Sequence, residues 1–577
     1  MKNSIEDPQS LLAIDIGSVA TRVSLFDIVE GCYRFIAMGE SPSTVGVPYC
    51  DISESLNLAM QTLEKIIGRP LLDKNGNIIL PSQPENGSGV DDLVVTYTAG
   101  PELRIVVAGL LQEGSRQSVQ RLAATIHGRV VERIGLNDRR KPEEKVDAIL
   151  NSKADLILLS GGINIGSSRA VYRLVEMVLL ASRILPLEKR PQVIFAGNQA
   201  LAPRIKEVLG RWVDVHIAPN IRPTIEREDI MPARQVLAEV VTKIRSDQIG
   251  GINTLGTHCR IPPMPASHAF GDMIQYLSSV SDPKRGVLGL DLGASGMTMA
   301  AAIDGYINLN VYPFGVGGAA RTLAEDGILE HVAQWLPFEF SKSDLRDALW
   351  QKSLYPACLP VTQEAMAIEL AAARAILQLG AHKTHDRSIG IYHSFERIIA
   401  AGSVLVRAPD LLQTLLTLLD GLQPVGITNL VIDQNGITAS LGAAARFNPA
   451  LAVQVLESRA YLKLATVICP VSKAKVGTVI LEGRMQYEDG AEHIFEVEQG
   501  SLIRLPLENG KVARLRCIPR RGTWLAPYGK RKDEWVTITG GFYGAVIDAR
   551  GRPLMLPADP TLRRETLHKW SISLGIA

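Results

Sequence analysis

One pattern occurs twice in this sequence, once near its start and once near its middle. Each copy consists of an apolar run, a polar turn that begins Asp-x-Gly, and a second apolar run. The first copy joins residues 11–16 to residues 21–26, and the second joins residues 287–290 to residues 297–303. Apolar runs of this kind, separated elsewhere by amphipathic helices, predict an α/β fold. A repeat over so long a distance predicts two structurally related halves.

The first polar turn carries side chains suited to phosphate and magnesium. Gly17 allows the backbone to turn tightly and approach a ligand, and the hydroxyls of Ser18 and Thr21 can bind phosphate oxygens. Mg²⁺ prefers carboxylate and water oxygens, which makes Asp15 a candidate magnesium residue. Taken alone, this turn is equally consistent with an ordinary β-hairpin.

The second polar turn changes that balance. Asp291 and Gly293 repeat the Asp-x-Gly order, and the hydroxyls of Ser295 and Thr298 follow. Two such turns facing each other would hold the phosphates of a nucleotide, with a metal ion between the two carboxylates. The pair therefore favours nucleotide binding, with Asp15 and Asp291 as the candidate metal residues.

Composition narrows the class of protein. Lys and Arg number 61 against 60 for Asp and Glu, so the net charge of +1 provides no global field to attract nucleic acid or anionic lipid. The 46% of hydrophobic residues can build a packed core, which excludes a disordered or fibrous chain. No apolar window reaches the length of about 18 residues that a membrane span needs. We expect a soluble, cytoplasmic protein without a membrane span.

A cluster of basic residues near the C-terminus is the main candidate for a nucleic-acid contact, with Trp524, Tyr528 and Trp535 interleaved. Its alternation is also that of the solvent face of a strand, which we prefer, and nucleic acid is not an expected partner. The cluster comprises Arg514, Arg516, Arg520, Arg521, Lys530, Arg531 and Lys532.

The sequence after about residue 455 changes in character. From residue 465 to residue 556 it consists of short strand-like runs and turns punctuated by glycine, a pattern that predicts a separate β domain. We therefore divide the chain into a first lobe with an insertion (1–265), a second lobe (266–455) and a C-terminal β domain (456–577).

With these segments in place, the sequence resembles the superfamily of actin, sugar kinase and heat-shock chaperone ATPases. Its further motifs have counterparts here in the same order: a first hinge at residues 263–267, a Gly-Gly helix start at 315–319, an adenosine-binding strand and turn at 398–404, and a second hinge at 441–444. The resemblance implies a two-lobed actin-like ATPase core of two ribonuclease-H-like domains, followed by the C-terminal all-β domain. It also implies ATP and Mg²⁺ as cofactors, with Gly402 and Ser403 near adenosine.

Within that superfamily, residues 10–455 are similar to the glutamate mutase L family. The turn from Asp15 to Ser18, followed by Thr21 and Arg22, is similar to the family's Asp-Phe-Gly-Ser turn and its Thr-Lys. Further segments that resemble the family lie at 99–110, 158–162, 196–198 and 232–234. The resemblance implies an accessory or reactivating chaperone of a cobalamin-dependent mutase, in which ATP drives the release of damaged cofactor.

The second turn departs from the pattern of this family. After Gly293 its members usually have a second glycine and one or two threonines, whereas this chain has Ala294 and Ser295, with Thr298 displaced. Ser403 stands where a glycine is common. These departures favour nucleotide binding over efficient hydrolysis, and no residue stands out as a general base. The alternative is a nucleotide-binding scaffold, like the cell-division and pilus-assembly actin relatives, that self-associates or recruits partners; a small-molecule kinase comes third.

Overall fold

The computed structural model describes residues 9–164, 166, 168–325, 327–384, 393–526 and 534–576. The apolar pattern at residues 388–391 also predicts a buried strand, which lies outside these residues, as do Tyr528 and Lys530, Arg531 and Lys532 of the basic cluster.

The strands and helices alternate through the first three quarters of the chain, and strands dominate the last quarter. The strands are β1 (Leu11–Ile16), β2 (Ala20–Val29), β3 (Cys32–Pro42), β4 (Asp92–Tyr97), β5 (Leu103–Ala108), β6 (Gly128–Ile134), β7 (Leu156–Leu159), β8 (Gln192–Phe195), β9 (Val215–Ile217), β10 (Met264–Pro265), β11 (Val287–Leu292), β12 (Met297–Ile303), β13 (Tyr306–Tyr312), β14 (Arg397–Ala401), β15 (Gly426–Ile432), β16 (Leu462–Cys469), β17 (Val471–Ser472), β18 (Val479–Tyr487), β19 (Glu492–Glu498), β20 (Leu502–Leu505), β21 (Val512–Pro519), β22 (Thr523–Trp524), β23 (Trp535–Thr539) and β24 (Ala545–Asp548). The helices are α1 (Ser53–Ile67), α2 (Gln117–Ala123), α3 (Pro142–Ser152), α4 (Ser168–Ile184), α5 (Ala202–Leu209), α6 (Met231–Gln248), α7 (Ile252–Gly256), α8 (Ala266–Ser279), α9 (Leu329–Ala333), α10 (Lys342–Leu354), α11 (Gln363–Thr384), α12 (Ser403–Val406), α13 (Leu411–Leu422), α14 (Thr438–Ala444), α15 (Pro449–Glu457) and α16 (Pro560–Leu574).

The chain divides into two compact units. The first contains Met1–Phe270, Leu309–Pro313 and Ala439–Phe447, and the second contains Gly271–Asn308, Phe314–Thr438 and Asn448–Ala577. The three-domain division made from the sequence stays a prediction.

The predicted repeat is visible as two sheets with the same strand order. Read from its other edge, the first sheet runs β3-β2-β1-β4-β10, and the second begins β13-β12-β11-β14-β15. In each, the strand before the Asp-x-Gly turn pairs antiparallel with the strand after it and parallel with a later strand: β1 with β2 and β4, and β11 with β12 and β14. The two turns therefore occupy equivalent positions, at the carboxyl ends of β1 and β11.

A third sheet, between β4 and β10 in the chain, was not predicted as a separate layer. Its order is β6-β5-β7-β8-β9, and every pairing in it is parallel. One face packs with α2 and α6 in a core that includes Ile105 and Leu158, and the other packs with α3, α4 and α5 in a core that includes Val106 and Phe195. Burial on both faces is typical of parallel sheets and explains why these strands read as continuous apolar runs.

The residues after 455 are not all β and do not form one isolated sheet. Strands β16, β24 and β20 extend the second sheet, while β19-β18-β21-β23 form a separate four-stranded sheet. The chain then ends in α16, which corrects our expectation of an all-β C-terminal domain. The sequence of α16 is polar on most of its surface, so its apolar pattern gave a weak helix signal.

A buried network of charged groups ties this C-terminal segment to helices α11 and α13. Asp420 on α13 accepts hydrogen bonds from Arg374 on α11 and from Arg550, each at 2.7 Å. Asp548 at the end of β24 forms ion pairs with Arg550 at 2.8 Å and Arg552 at 2.9 Å. Buried charges are tolerated only when they are paired and hydrogen-bonded in this way, so the network fixes where the segment docks.

Among the residues that the structure describes, no helix combines the length and apolar character needed to cross a bilayer.

A buried histidine in the first unit predicts acid sensitivity. His268 is 1% exposed, and its Nε2 hydrogen-bonds with Thr125 Oγ1 at 3.0 Å. Burial lowers the pKa of His268 well below its usual value, and the charges of Arg234 and Arg446 lower it further. The unfolded chain takes up a proton near pH 6.5 that the folded chain does not, so the free energy of unfolding falls as the pH drops below about 6.5.

We expect urea unfolding at about pH 5.5 to show about 1.4 kcal/mol less stability from this group than at about pH 7.5. His268→Gln should flatten that dependence, whereas His258→Gln, at an exposed site, should leave it unchanged. Equal pH slopes in the two variants would contradict this assignment.

Candidate functional site

The first Asp-x-Gly turn joins β1 to β2, and its glycine, Gly17, leaves no room for a side chain. Gly17 N–H donates to the Ala20 carbonyl at 3.0 Å, and a methyl group added at Gly17 would lie 2.6 Å from that same oxygen. Ser18 is exposed at the turn, where a ligand can reach it.

Asp15 is half-buried at the end of β1, and a threonine on the neighbouring strand orients it. Thr96 lies opposite Asp15 in the β1–β4 register, and its hydroxyl donates to Asp15 Oδ1 at 2.8 Å. Burial raises the pKa of Asp15, while the charge of Arg22 and the Thr96 hydrogen bond oppose that rise. A cation at this carboxylate would favour its ionised form. Sequence analysis missed Thr96, whose role follows from strand register.

Thr21 was predicted to bind phosphate, and the structure gives it another role. Its side chain is fully buried, and its hydroxyl donates to Ser55 Oγ at 3.1 Å. Ser55 in turn donates to the Ile52 carbonyl, so this chain of hydrogen bonds holds α1 against β2. A residue inside an alternating strand faces the core at every second position, and Thr21 is one of these.

The second Asp-x-Gly turn joins β11 to β12 and has the same closure. Gly293 N–H donates to the Gly296 carbonyl at 2.9 Å, as Gly17 does in the first turn. Asp291 and Ser295 are half-buried at the turn. Thr298 is 8% exposed, paired with Asp291 in the β11–β12 register. Like Thr21, Thr298 is buried, and a buried hydroxyl is poorly placed to contact phosphate.

A glycine-rich segment after β13 holds the second turn in place. Val316 N–H donates to the Gly293 carbonyl at 3.2 Å, and Gly317 N–H donates to the Ala294 carbonyl at 3.0 Å. A methyl group at Gly315 would lie 2.5 Å from the Ala294 oxygen, so only glycine permits this approach. The predicted Gly-Gly helix start begins a short 3₁₀ helix, Ala320–Ala324, rather than an α-helix.

The predicted adenosine turn lies directly beside the second Asp-x-Gly turn. Ala401, the last residue of β14, pairs with Asp291, and Gly402 follows it. Gly402 has a φ of 115°, and a methyl group there would lie 2.2 Å from the Leu292 carbonyl oxygen. Ser403 is exposed and begins α12. The structure therefore brings five of the predicted site residues to one edge of the second sheet: Asp291, Gly293, Ser295, Gly402 and Ser403.

Asp433 supports that edge and was not singled out from the sequence. Its N–H donates to the Ala400 carbonyl at 2.9 Å, and its carboxylate accepts hydrogen bonds from the Ile437 and Thr438 N–H groups. Burial raises the pKa of Asp433, and the hydrogen bonds from Thr438 oppose that rise. In the sequence, Asp433 is marked only as an aspartate that follows an apolar run. Aspartates in that position are also common as ordinary helix caps, so the sequence did not indicate a functional role.

The carboxylates do not form a protein cage for a metal. Among the residues that the structure describes, no group of three or more His, Cys, Asp or Glu side chains could hold a metal ion. Mg²⁺ usually keeps several waters and takes one or two carboxylates together with phosphate oxygens, so a magnesium site does not require such a group.

Comparisons with known proteins give the chain a family. The model of a family described as MutL protein matches residues 11–460. Protein MutL of Clostridium tetanomorphum is 22% identical over 300 residues, covering 51% of this chain but only 58% of that protein. The chain is also similar to nucleotide-free acetone carboxylase (TM-score 0.33, 12% identity, 86% of this chain and 81% of that one). Gluconate kinase from Lactobacillus acidophilus is similar with a TM-score of 0.33 and 10% identity, over 80% of this chain and 93% of the kinase.

Proposed function

This chain belongs to the MutL protein family, and on that premise we propose that it is an actin-like, ATP-binding accessory protein that reactivates a cobalamin-dependent mutase. One observation carries the nucleotide part of the proposal. The same Asp-x-Gly turn stands at the same place in two sheets of the same strand order.

In this proposal the two turns bind the phosphates of ATP. The backbone of each turn and the hydroxyls of Ser18 and Ser295 contact phosphate oxygens, as glycine-bounded turns do in other anion sites. Gly402 and Ser403 lie next to adenosine. The small residues around the second turn support this assignment, because Gly315 and Gly402 bring backbone closer than any side chain would allow.

Mg²⁺ would be held by Asp15 and Asp291 through water. When bound, it would neutralise charge on the phosphate oxygens. The protein's own contribution is to hold Asp15 in position through Thr96, at 2.8 Å, and to keep its carboxylate partly shielded from water.

Bound ATP would act on the partner by shifting this protein between conformations. A ligand shifts such an equilibrium only by its differential affinity for the two states. We propose that the ATP-bound state opens the mutase and lets damaged cofactor leave, and that this chain performs no carbon chemistry itself.

A second candidate function follows from the buried threonines. Thr21 and Thr298 are both buried, so their hydroxyls are poorly placed to contact phosphate, and Ala294 stands where the family pattern has a second glycine. This favours ATP binding with slow or no turnover, as in a nucleotide-binding scaffold that self-associates.

The two candidates are separated by a reactivation assay. A cobalamin-dependent mutase is loaded with an inactive cobalamin, then incubated with this protein, Mg·ATP and fresh cofactor. We expect mutase activity to return only with ATP, to be lost with Asp15→Asn, and to be retained with Asp347→Asn, whose side chain is exposed on α10. ATP binding without recovery, together with ATP-dependent self-association, would instead support the scaffold.

A further inference from the structure

The end of α10 and the loop that follows it form an exposed apolar surface in the second unit. Five large apolar side chains within residues 350–361 are each between 47% and 91% exposed. Single exposed apolar side chains are common on proteins, whereas a contiguous group of them marks an interaction site. We call this group the apolar patch: Trp350, Leu354, Tyr355, Leu359 and Val361.

Hydrogen bonds fold the loop back against α10 and bring the members of the patch together. Trp350 and Leu354 lie one helical turn apart, so they share a face of α10. The Cys358 N–H donates to the Tyr355 carbonyl at 3.1 Å, which closes a turn. Lys352 Nζ donates to the Cys358 carbonyl at 2.6 Å and ties this turn to the helix. The patch is therefore a continuous surface rather than a set of separate side chains.

The patch is also fixed to the rest of the second unit. Ser353 Oγ donates to the Gly318 carbonyl at 2.9 Å, which attaches the end of α10 to the glycine-rich segment after β13. Lys352 forms an ion pair with Glu369 on α11 at 2.5 Å, and both side chains are largely buried. A surface that is preformed in this way loses little conformational entropy when it binds a partner.

The loop part of the patch carries no charge. Residues 353–363 contain no Asp, Glu, Lys, Arg or His, although charged residues make up 21% of the chain. Nucleic acids and acidic or basic peptides are bound through opposite charges, which this loop does not offer. The surface that fits the patch is therefore an apolar protein surface.

The size of the patch favours a second copy of this chain as its partner. The exposed side chains provide about 600 Å² of apolar surface, the upper limit for the largest such patch on a typical monomer. An apolar patch is complementary to itself, and a two-fold dimer brings the same patch of both subunits together. Two patches in contact would bury about 1,200 Å² in total, which is enough for a specific interface of modest affinity.

We propose that the apolar patch is an interface between two copies of this chain, which form a two-fold symmetric dimer with the two patches in contact. This dimer needs no nucleotide. It is therefore distinct from the ATP-dependent self-association expected of a scaffold, and it does not depend on the proposed function.

The test is sedimentation velocity of the full chain over a range of concentrations, without nucleotide. We expect a concentration-dependent dimer whose dissociation constant rises about tenfold or more in both Leu359→Asp and Val361→Asp, because each substitution places a charge in the apolar contact. Val476→Asp is the matched control, since Val476 is a single exposed apolar residue in the same unit, and it should dimerise like the wild type.

Alkylation of cysteines by iodoacetamide, followed by peptide mass spectrometry, locates the contact. Cys358 is exposed within the loop of the patch, and Cys50 is exposed in the first unit. We expect the alkylation rate of Cys358 to fall as the dimer forms, while that of Cys50 stays constant.

A wild-type protein that remains a monomer at all concentrations would overturn the proposal and leave the patch to a different protein. A dimer that forms equally well in Leu359→Asp and Val361→Asp, with unchanged alkylation of Cys358, would place the contact on another surface and also overturn it. Because nucleotide is absent throughout, a failure of ATP binding would remove the proposed function without affecting this result.

Discussion

Replacing Asp548 by alanine is expected to lower the free energy of unfolding by about 3–5 kcal/mol. Asp548 is fully buried and forms ion pairs with Arg550 and Arg552, which are also buried. The substitution would leave the Arg552 guanidinium without a carboxylate and Arg550 with only Asp420. The loss should appear in urea or thermal unfolding of the second unit. Asp347→Ala, at an exposed site in the same unit, should change stability by less than about 0.5 kcal/mol.

The same network predicts a pH dependence. Burial opposes ionisation of Asp548, but the Arg550 and Arg552 guanidinium groups hold the pKa of this carboxyl well below its usual range. A carboxyl with a lowered folded pKa contributes stability that is present above about pH 4 and is lost as the pH falls further. The wild type should therefore lose more stability than Asp548→Ala on acidification below about pH 4. A variant that unfolds like the wild type at neutral pH would refute the role assigned to this network.

Replacing Gly402 by alanine is expected to remove about 3 kcal/mol of stability and to weaken Mg·ATP binding about tenfold or more. Gly402 has a φ of 115° and a ψ of 140°, a backbone region essentially limited to glycine. The added methyl group would also lie 2.2 Å from the Leu292 carbonyl oxygen, so it must push β14 away from the second Asp-x-Gly turn. Both effects act at the turn proposed to bind phosphate.

Gly305→Ala is the matched control for this substitution. Gly305 also has a positive φ, 76°, but a methyl group there would meet no atom within 4 Å. Its substitution should cost about 1 kcal/mol through backbone strain and leave ATP affinity unchanged. Equal ATP affinities for Gly402→Ala and the wild type would show that this turn does not adjoin the nucleotide.

The duplicated hairpin was the part of the fold that the sequence predicted best. The strands expected at residues 11–16 and 297–303 have those bounds in the structure, because an apolar run next to an Asp-x-Gly turn leaves little freedom in register. The family resemblance is also confirmed by the match over residues 11–460. Both rest on local patterns that a single sequence contains.

The rest depended on contacts between distant segments. Apolar spacing over residues 115–127 predicts a helix there, but α2 covers only Gln117–Ala123, and the backbone just before it, at Gly114, is not helical. Thr21 was assigned to phosphate from its spacing alone, whereas its partner, Ser55, is on a helix 34 residues away. Asp433 and Thr96 support the candidate site through strand register, which composition and spacing do not determine.

The central claim is that the two Asp-x-Gly turns bind one Mg·ATP, and calorimetric titration of the full chain tests it most directly. We predict saturable binding to the wild type and to Asp347→Ala, with affinity lowered about tenfold or more in both Asp15→Ala and Asp291→Ala. Asp15 and Asp291 stand at equivalent positions in the two sheets, so both substitutions should have this effect. Undiminished binding in either variant, or no binding to folded wild-type protein, would contradict the account.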